Sequence, residues 1–298
     1  MTGHHHNNKQ DSTSNIKVAF FLNLGFTIVE IIGGLWTNSI AIISDALHDL
    51  GDSFSLGLSW LLEKYSRKKK DEKYSYGYRR YSLLSALING LILILGSVYV
   101  LSRAIPRIFN PEQPNAKGML FFAIGGVVIN GIAALRLRKG RSLNERIITL
   151  HLLDDILGWT AILVISIIMM FTDIPILDPI LSIVITIYIL YNIFVNLKKT
   201  FSVFLQAVPS GISIKEIEDK IRKIDKVISI HHTHIWSMDS LNNVLTTHIV
   251  VENNTTTEEI TDIKSKIKEL TGSPDLEHST IEIEFESEFC KMRDRECF

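Results

Sequence analysis

The sequence predicts an α-helical membrane protein with six transmembrane helices, followed by a C-terminal cytoplasmic α+β domain of ferredoxin-like αββαβ order. Three observations predict it. Apolar residues crowd into long blocks before about residue 205, basic residues gather in alternate loops, and the remaining sequence reads as short amphipathic helices and strands. Whole-chain averages decide little, because 46% hydrophobic residues and a mean hydropathy of +0.21 also suit a soluble protein. The distribution decides.

Each block approaches the ~20 residues a helix needs to cross a hydrocarbon layer ~30 Å thick. The expected spans are Val18–Trp36, Ile40–Leu62, Tyr81–Arg103, Gly118–Leu137, Ile147–Phe171 and Pro179–Leu197. Breakers separate them: Thr37-Asn38-Ser39, the segment from Pro106 to Pro114, and Asp173 to Asp178 with its proline. The second loop carries Lys64, Arg67, Lys68, Lys69, Lys70, Lys73, Arg79 and Arg80, and the fourth carries Arg136, Arg138, Lys139, Arg141 and Arg146. Positive loops stay inside, so both termini are expected in the cytoplasm. An even number of spans gives the same answer.

After Lys198-Lys199, Ser213 to Ile224 reads as an amphipathic helix, capped by Ser213 with Glu216 three residues on. Strands are expected over Val227–Met238, Asn243–Val251 and Ser279–Glu286, with a helix over Thr257–Leu270 before the last. The organisation is then a disordered cytoplasmic tail over 1–16, a membrane domain over 17–200, a cytoplasmic domain over 208–287 and a Cys-containing tail over 288–298. His4, His5 and His6 read as a solvated tail or a weak metal-gathering segment, and the polar N-terminus is not a cleavable signal peptide. A formal net charge of −1 gives no basic surface for nucleic acid. Cys290 and Cys297 are the only cysteines, so there is no disulfide scaffold.

Polar groups inside the spans carry the chemistry. The second span contains Ser44-Asp45-Ala46-Leu47-His48-Asp49-Leu50-Gly51-Asp52. Ionisable groups there are costly and survive when they face a cavity and bind something. Residues four apart share a helix face, so His48 and Asp52 point the same way, and in the fifth span His151 and Asp155 repeat the pair. Two nitrogens and two carboxylate oxygens suit four-coordinate Zn²⁺ and suit Mg²⁺ or Ca²⁺ poorly. The competing account makes each pair a separate interhelical hydrogen bond. Asp45, Asp49 and Asp154 lie on other faces, where they orient histidines, cap polar groups or line a water-filled vestibule. Asn23 and Glu30 share a face of the first span and either line the path or pair with another helix.

The run from Leu22 to Asp52 resembles the cation diffusion facilitators. So do Tyr74-Ser75-Tyr76-Gly77-Tyr78-Arg79-Arg80, Ala86 to Gly90, His151 to Gly158, Asp178-Pro179 and His234-Ile235-Trp236. The resemblance covers nearly the whole chain after residue 15. It implies a homodimeric antiporter, paired through the cytoplasmic domain, that exports Zn²⁺ against protons by alternating access. Cd²⁺ and Co²⁺ are further candidate substrates. It assigns transport ligands to His48, Asp52, His151 and Asp155. It also implies a cytoplasmic metal site at His231, His248 and Glu284, with His232, His234, His278, Cys290 and Cys297 nearby in sequence. His234 is equally a packed core residue. A proton-independent channel and a metal sensor remain as other functions; a metalloenzyme does not fit, because four protein ligands close the site.

Overall fold

The computed structural model describes residues 7–66, 68–137, 143–270 and 276–290, with side chains from residue 21 onward except at 22, 56, 59–60, 63–64, 136–137, 143–151 and 276–277. His4, His5, His6, Arg67, Arg138, Lys139, Arg141 and Cys297 lie outside the described residues. Six long helices come first: α1 (Asn7–Thr37), α2 (Ile40–Ser66), α3 (Tyr81–Phe109), α4 (Ala116–Leu137), α5 (Leu143–Phe171) and α6 (Leu177–Phe204). They precede α7 (Ile214–Ile221), β1 (Val227–Ser237), β2 (Asn243–Val251), α8 (Thr257–Leu270) and β3 (Leu276–Phe285). The chain divides into a membrane unit, Met1–Glu63 with Ser85–Leu197, and a second unit, Lys64–Leu84 with Lys198–Phe298.

Among the described residues, α3, α4, α5 and α6 are long and apolar enough to cross a membrane by length and composition. Helix α2 is as long, but Asp45, Asp49 and Asp52 interrupt its apolar run. Six helices of this length are consistent with six spans.

Two boundaries depart from expectation. Helix α1 starts at Asn7 within the segment expected as a disordered tail, where the run from Asn7 to Lys17 contains no glycine or proline to stop it. Helix α3 continues through Pro106 to Phe109, where a loop was expected. A proline removes one backbone donor but leaves its own carbonyl able to accept, and Asn110 N–H donates to Pro106 O at 2.9 Å.

The start of α2 is held from a distance. Asp178 in the first turn of α6 accepts from Ser39 Oγ at 2.5 Å, Ile40 N at 2.8 Å and Ala41 N at 3.3 Å. A helix begins with unsatisfied N–H groups, and here a buried carboxylate from another helix supplies the acceptor. Removing it in Asp178→Ala orphans buried donors and should cost roughly 1.5–3 kcal/mol. The expected readout is a lower melting temperature of the detergent-solubilised protein, with Asp178→Asn intermediate.

Small residues let the membrane helices close. A Cβ on Gly126 of α4 would collide with the Trp159 ring of α5. Trp159 is buried there with Ala41, Ile42, Met119, Ala123 and Ile162.

In the second unit, β2 lies between β1, antiparallel to it, and β3, parallel to it. Helices α7 and α8 cover one face, burying Ile221, Ile263 and Ile267 against Ile230, Ile249 and Val251. Ser213 caps α7 as expected, accepting from Glu216 N. The loop between α2 and α3 is organised by Asp71, which accepts from Lys73 N, Tyr74 N and the Tyr78 hydroxyl. The Tyr78 hydrogen bond above all, then the Tyr74 N–H, holds its carboxyl down at about 2.

Candidate metal sites

In the membrane unit, His48 Nε2 lies 3.7 Å from Asp52 Oδ2, one helical turn on. Two donors at that separation can both reach one ion with bonds of ~2.0–2.2 Å. On α5, Asp155 is buried. His151 stands one turn earlier on the backbone, and its side chain lies outside the described residues.

A single contact sets the relative depth of the two helices. A Cβ on Gly158 of α5 would lie 3.4 Å from Asp45 Oδ1 of α2. Successive spans run in opposite directions, so α2 and α5, three apart in order, are opposed, and counting inward from that contact pairs residues of equal depth. Three residues on, about 4.5 Å along each axis, stand His48 on α2 and Asp155 on α5. Seven residues on, about 10 Å, stand Asp52 and His151. Each histidine is therefore level with an aspartate of the other helix.

The flanking acids separate into two kinds. Asp45 and Asp49 are buried, whereas Asp154 is exposed. Glu30 of α1 is 1% exposed and within electrostatic reach of Asp49, Asp45 and Asp155. Asn23, one of the two polar residues singled out on α1, is a tether. Its Nδ2 donates to Asp49 O at 3.1 Å and Ser53 Oγ at 2.9 Å, joining α1 to α2.

The second unit gathers metal-binding groups on the face of the sheet away from its helices. His231, His248, Glu284 and Cys290 each offer a ligand atom within 4.8 Å of the others. Glu284 Oε1 lies 2.8 Å from His248 Nδ1 and 3.4 Å from His231 Nε2. Two imidazoles, a carboxylate and a thiol are a donor set that fits Zn²⁺. His278 is not part of the group; it stacks edge-on with Tyr76, ring centroids 5.8 Å apart.

A bulge assembles this face. His231 pairs with His248 and His234 with Thr246, so β1 spends one more residue than β2 between them. The extra residue is His232, at φ +57°. A strand alternates faces, so residues three apart would oppose each other without the insertion. With it, His231 and His234 share a face, and the His232 ring packs 5.1 Å from His234 and 5.3 Å from His248. Partial burial, then the neighbouring His232 and His248, hold the His234 imidazole below its usual range.

Comparison with known proteins places these features in a family. Residues 16–205 match the cation efflux transmembrane domain, and residues 209–286 match the cytoplasmic domain of cation efflux proteins. The chain belongs to the cation efflux family. These are the cation diffusion facilitators that its motifs resemble. It is 34% identical over 95% of its length, and 92% of the relative's, to the "Cadmium, cobalt and zinc/H(+)-K(+) antiporter" of Bacillus velezensis. It is 33% identical to the protein of that name from Bacillus subtilis, over 96% of this chain and 93% of the relative. The "Metal cation efflux system protein CzcD" of Cupriavidus metallidurans is 31% identical over 95% of this chain and 90% of its own.

As a cation efflux family member, the chain is an integral, multi-pass membrane transporter rather than an enzyme. Sequence reasoning offered pairing with another helix as one reading of Asn23 without naming the partners, and it did not find the His232 bulge. The first joins the Asn23 amide to a backbone carbonyl and a hydroxyl 26 and 30 positions away. The second depends on a left-handed backbone at a histidine, a conformation that glycine or asparagine would have signalled more clearly.

Proposed function

We propose that this protein exports Zn²⁺ from the cytoplasm in exchange for protons by alternating access, using His48, Asp52, His151 and Asp155 as a four-ligand transport site. Cd²⁺ and Co²⁺ are further substrates of the same site. The observation that carries the proposal is the equal depth of His48 with Asp155 and of Asp52 with His151, counted from the Asp45–Gly158 contact. The names of the Bacillus relatives, cadmium, cobalt and zinc/H(+)-K(+) antiporters, support the same reading.

Proton coupling follows from ligand chemistry. Zn²⁺ binds neutral imidazole and ionised carboxylate, so loading releases protons and protonation releases metal. Histidine with an ordinary pKa of ~6.5 makes that exchange effective over the working pH range. Glu30, Asp45 and Asp49 line the approach, while Asp154 sits outside it. In this reading the membrane domain spans 17–200 in a bacterial inner membrane, with both termini cytoplasmic. The domain over 208–287 pairs two chains and binds a regulatory metal through His231, His248 and Glu284, with Cys290 as a fourth donor.

Proteoliposomes enclosing a pH-sensitive dye test the coupling. Zinc entering the vesicles should drive proton exit, in potassium-free medium as well as with potassium present. Zinc flux with no opposing proton movement would make the protein a channel instead.

A further inference from the structure

The half of the membrane unit away from the basic loops is sealed. Beyond the Asp45–Gly158 contact, Ala41 and Ile42 of α2, Met119 and Ala123 of α4, and Trp159 and Ile162 of α5 are each at most 1% exposed. A hydrated cation does not pass such an apolar layer. On the other side of the same contact, the His48 and Asp52 side chains keep 25% and 22% of their surface exposed. The outer helix ends must therefore part before an ion at the proposed transport site can leave outward.

Those ends are held unevenly. Arg107, near the end of α3, grips the turn between α1 and α2, donating to Asn38 O at 2.8 Å and Asn38 Oδ1 at 2.6 Å. Glu112 Oε2 lies 2.6 Å from Arg107 Nη2 and accepts from Asn38 Nδ2 at 2.9 Å. Asn115 N donates to Thr37 O at 2.7 Å, and buried Asp178 ties the start of α2 to α6. The outer end of α5 is held more lightly. Among the described residues, a single side-chain bond ties residues 172–176 to another loop: Gln113 Nε2 donates to Asp173 Oδ1. Glu112 and Gln113 are neighbours, so one short segment grips both sides. Pro111 and Pro114 flank them and fix two of its φ angles. Such a stiff arm, anchored by several bonds at one end and by one at the other, opens at the second.

We propose that residues 111–114 form an outer clasp, fixed to the α1–α2 turn through Glu112, that holds the outer end of α5 through Gln113 and Asp173 and releases it there in each transport cycle. This rests on the proposed export through a site shared by α2 and α5. Asp155 rides on α5, so release lets the outer end of that helix swing from α2 and opens the sealed layer above the site. Arg107 and Asp178 meanwhile keep the start of α2 against α3 and α6. Residues 172–176 are the hinge that absorbs the swing between α5 and α6.

Gln113→Cys with Asp173→Cys puts two thiols where the clasp closes. Right-side-out vesicles loaded with zinc are treated from outside with a short, reducible, membrane-impermeant bifunctional thiol reagent. Cross-linked protein should lose zinc efflux to background and regain it when the link is reduced, while each single-cysteine variant keeps it. Undiminished efflux with the cross-link complete would overturn the proposal, and so would failure of the two thiols to cross-link. Weakening the grip should act in the opposite sense. Gln113→Ala should raise about threefold the rate at which an impermeant maleimide outside labels Ile162→Cys in the sealed layer; an unchanged rate would count against the clasp. Met119→Cys is the reporter if Ile162→Cys does not fold. Full efflux in Asp52→Ala would overturn the transport site itself, whatever the cross-link shows.

Discussion

Asp155→Ala is expected to reduce metal efflux to background while the protein still folds and inserts. Three consequences of the geometry point the same way. In the proposed site Asp155 supplies one of two oxygens in a four-donor set, and Zn²⁺ left with three protein donors would recruit water and lose the closed coordination that carries it. It is level with His48 across the helix pair, so its loss also removes a carboxylate at the depth of that imidazole. It is buried, and a methyl group there leaves fewer buried charges rather than more, so stability should hold or rise. Efflux from cells or vesicles, read beside the melting temperature, separates the two effects. Retained efflux with a normal melting temperature would move the site elsewhere. Asp154→Ala makes the matched control, since that neighbour is exposed, and it should transport at close to the wild-type rate.

Glu284→Ala carries the second large effect. Its carboxylate is buried and lies between two imidazoles, 2.8 Å from one and 3.4 Å from the other. Without it, His231, His248 and Cys290 keep three donors around a site that has lost its only anionic oxygen. Affinity there should fall by more than about a hundredfold, since even partners outside the ligand set cost 10–100-fold when removed. Zinc bound per full-length chain, measured after gel filtration, should drop by one. The ion in the membrane site should stay. An unchanged zinc content in Glu284→Ala would mean that the cytoplasmic cluster binds no metal.

Much of this was legible because membranes and sheets impose simple periods. Apolar blocks marked the helices, and the i, i+4 rule found His48 with Asp52 and His151 with Asp155 before any coordinates. Alternation marked β3, and the αββαβ order followed. What stayed hidden depended on partners distant in sequence or on unsignalled backbone geometry. Asp178 serves the first turn of α2 from 137 or more positions away. Pro106 reads as a helix stop, yet in α3 the turns around it continue regardless. The Ser44–Thr186 bond joins two hydroxyls that any sequence reader would leave as filler.

The bulge in β1 has a further meaning for how this face can change. Ile230 and Ile235 are both buried, opposite Ile249 and Leu245 on the same side of the sheet. They are five positions apart, an odd number, so an uninterrupted strand could bury only one of them. The core therefore enforces the insertion, whatever the histidines require. Losing Thr233 would leave Ile230 and Ile235 four positions apart, so a regular strand would bury both and keep His231 and His234 together on the other face. What that deletion removes is the bulge itself, and with it the place of the His232 ring beside His234 and His248. The core thus fixes the insertion at the present length, while its loss by deletion would cost this face an imidazole and not the burial of Ile235.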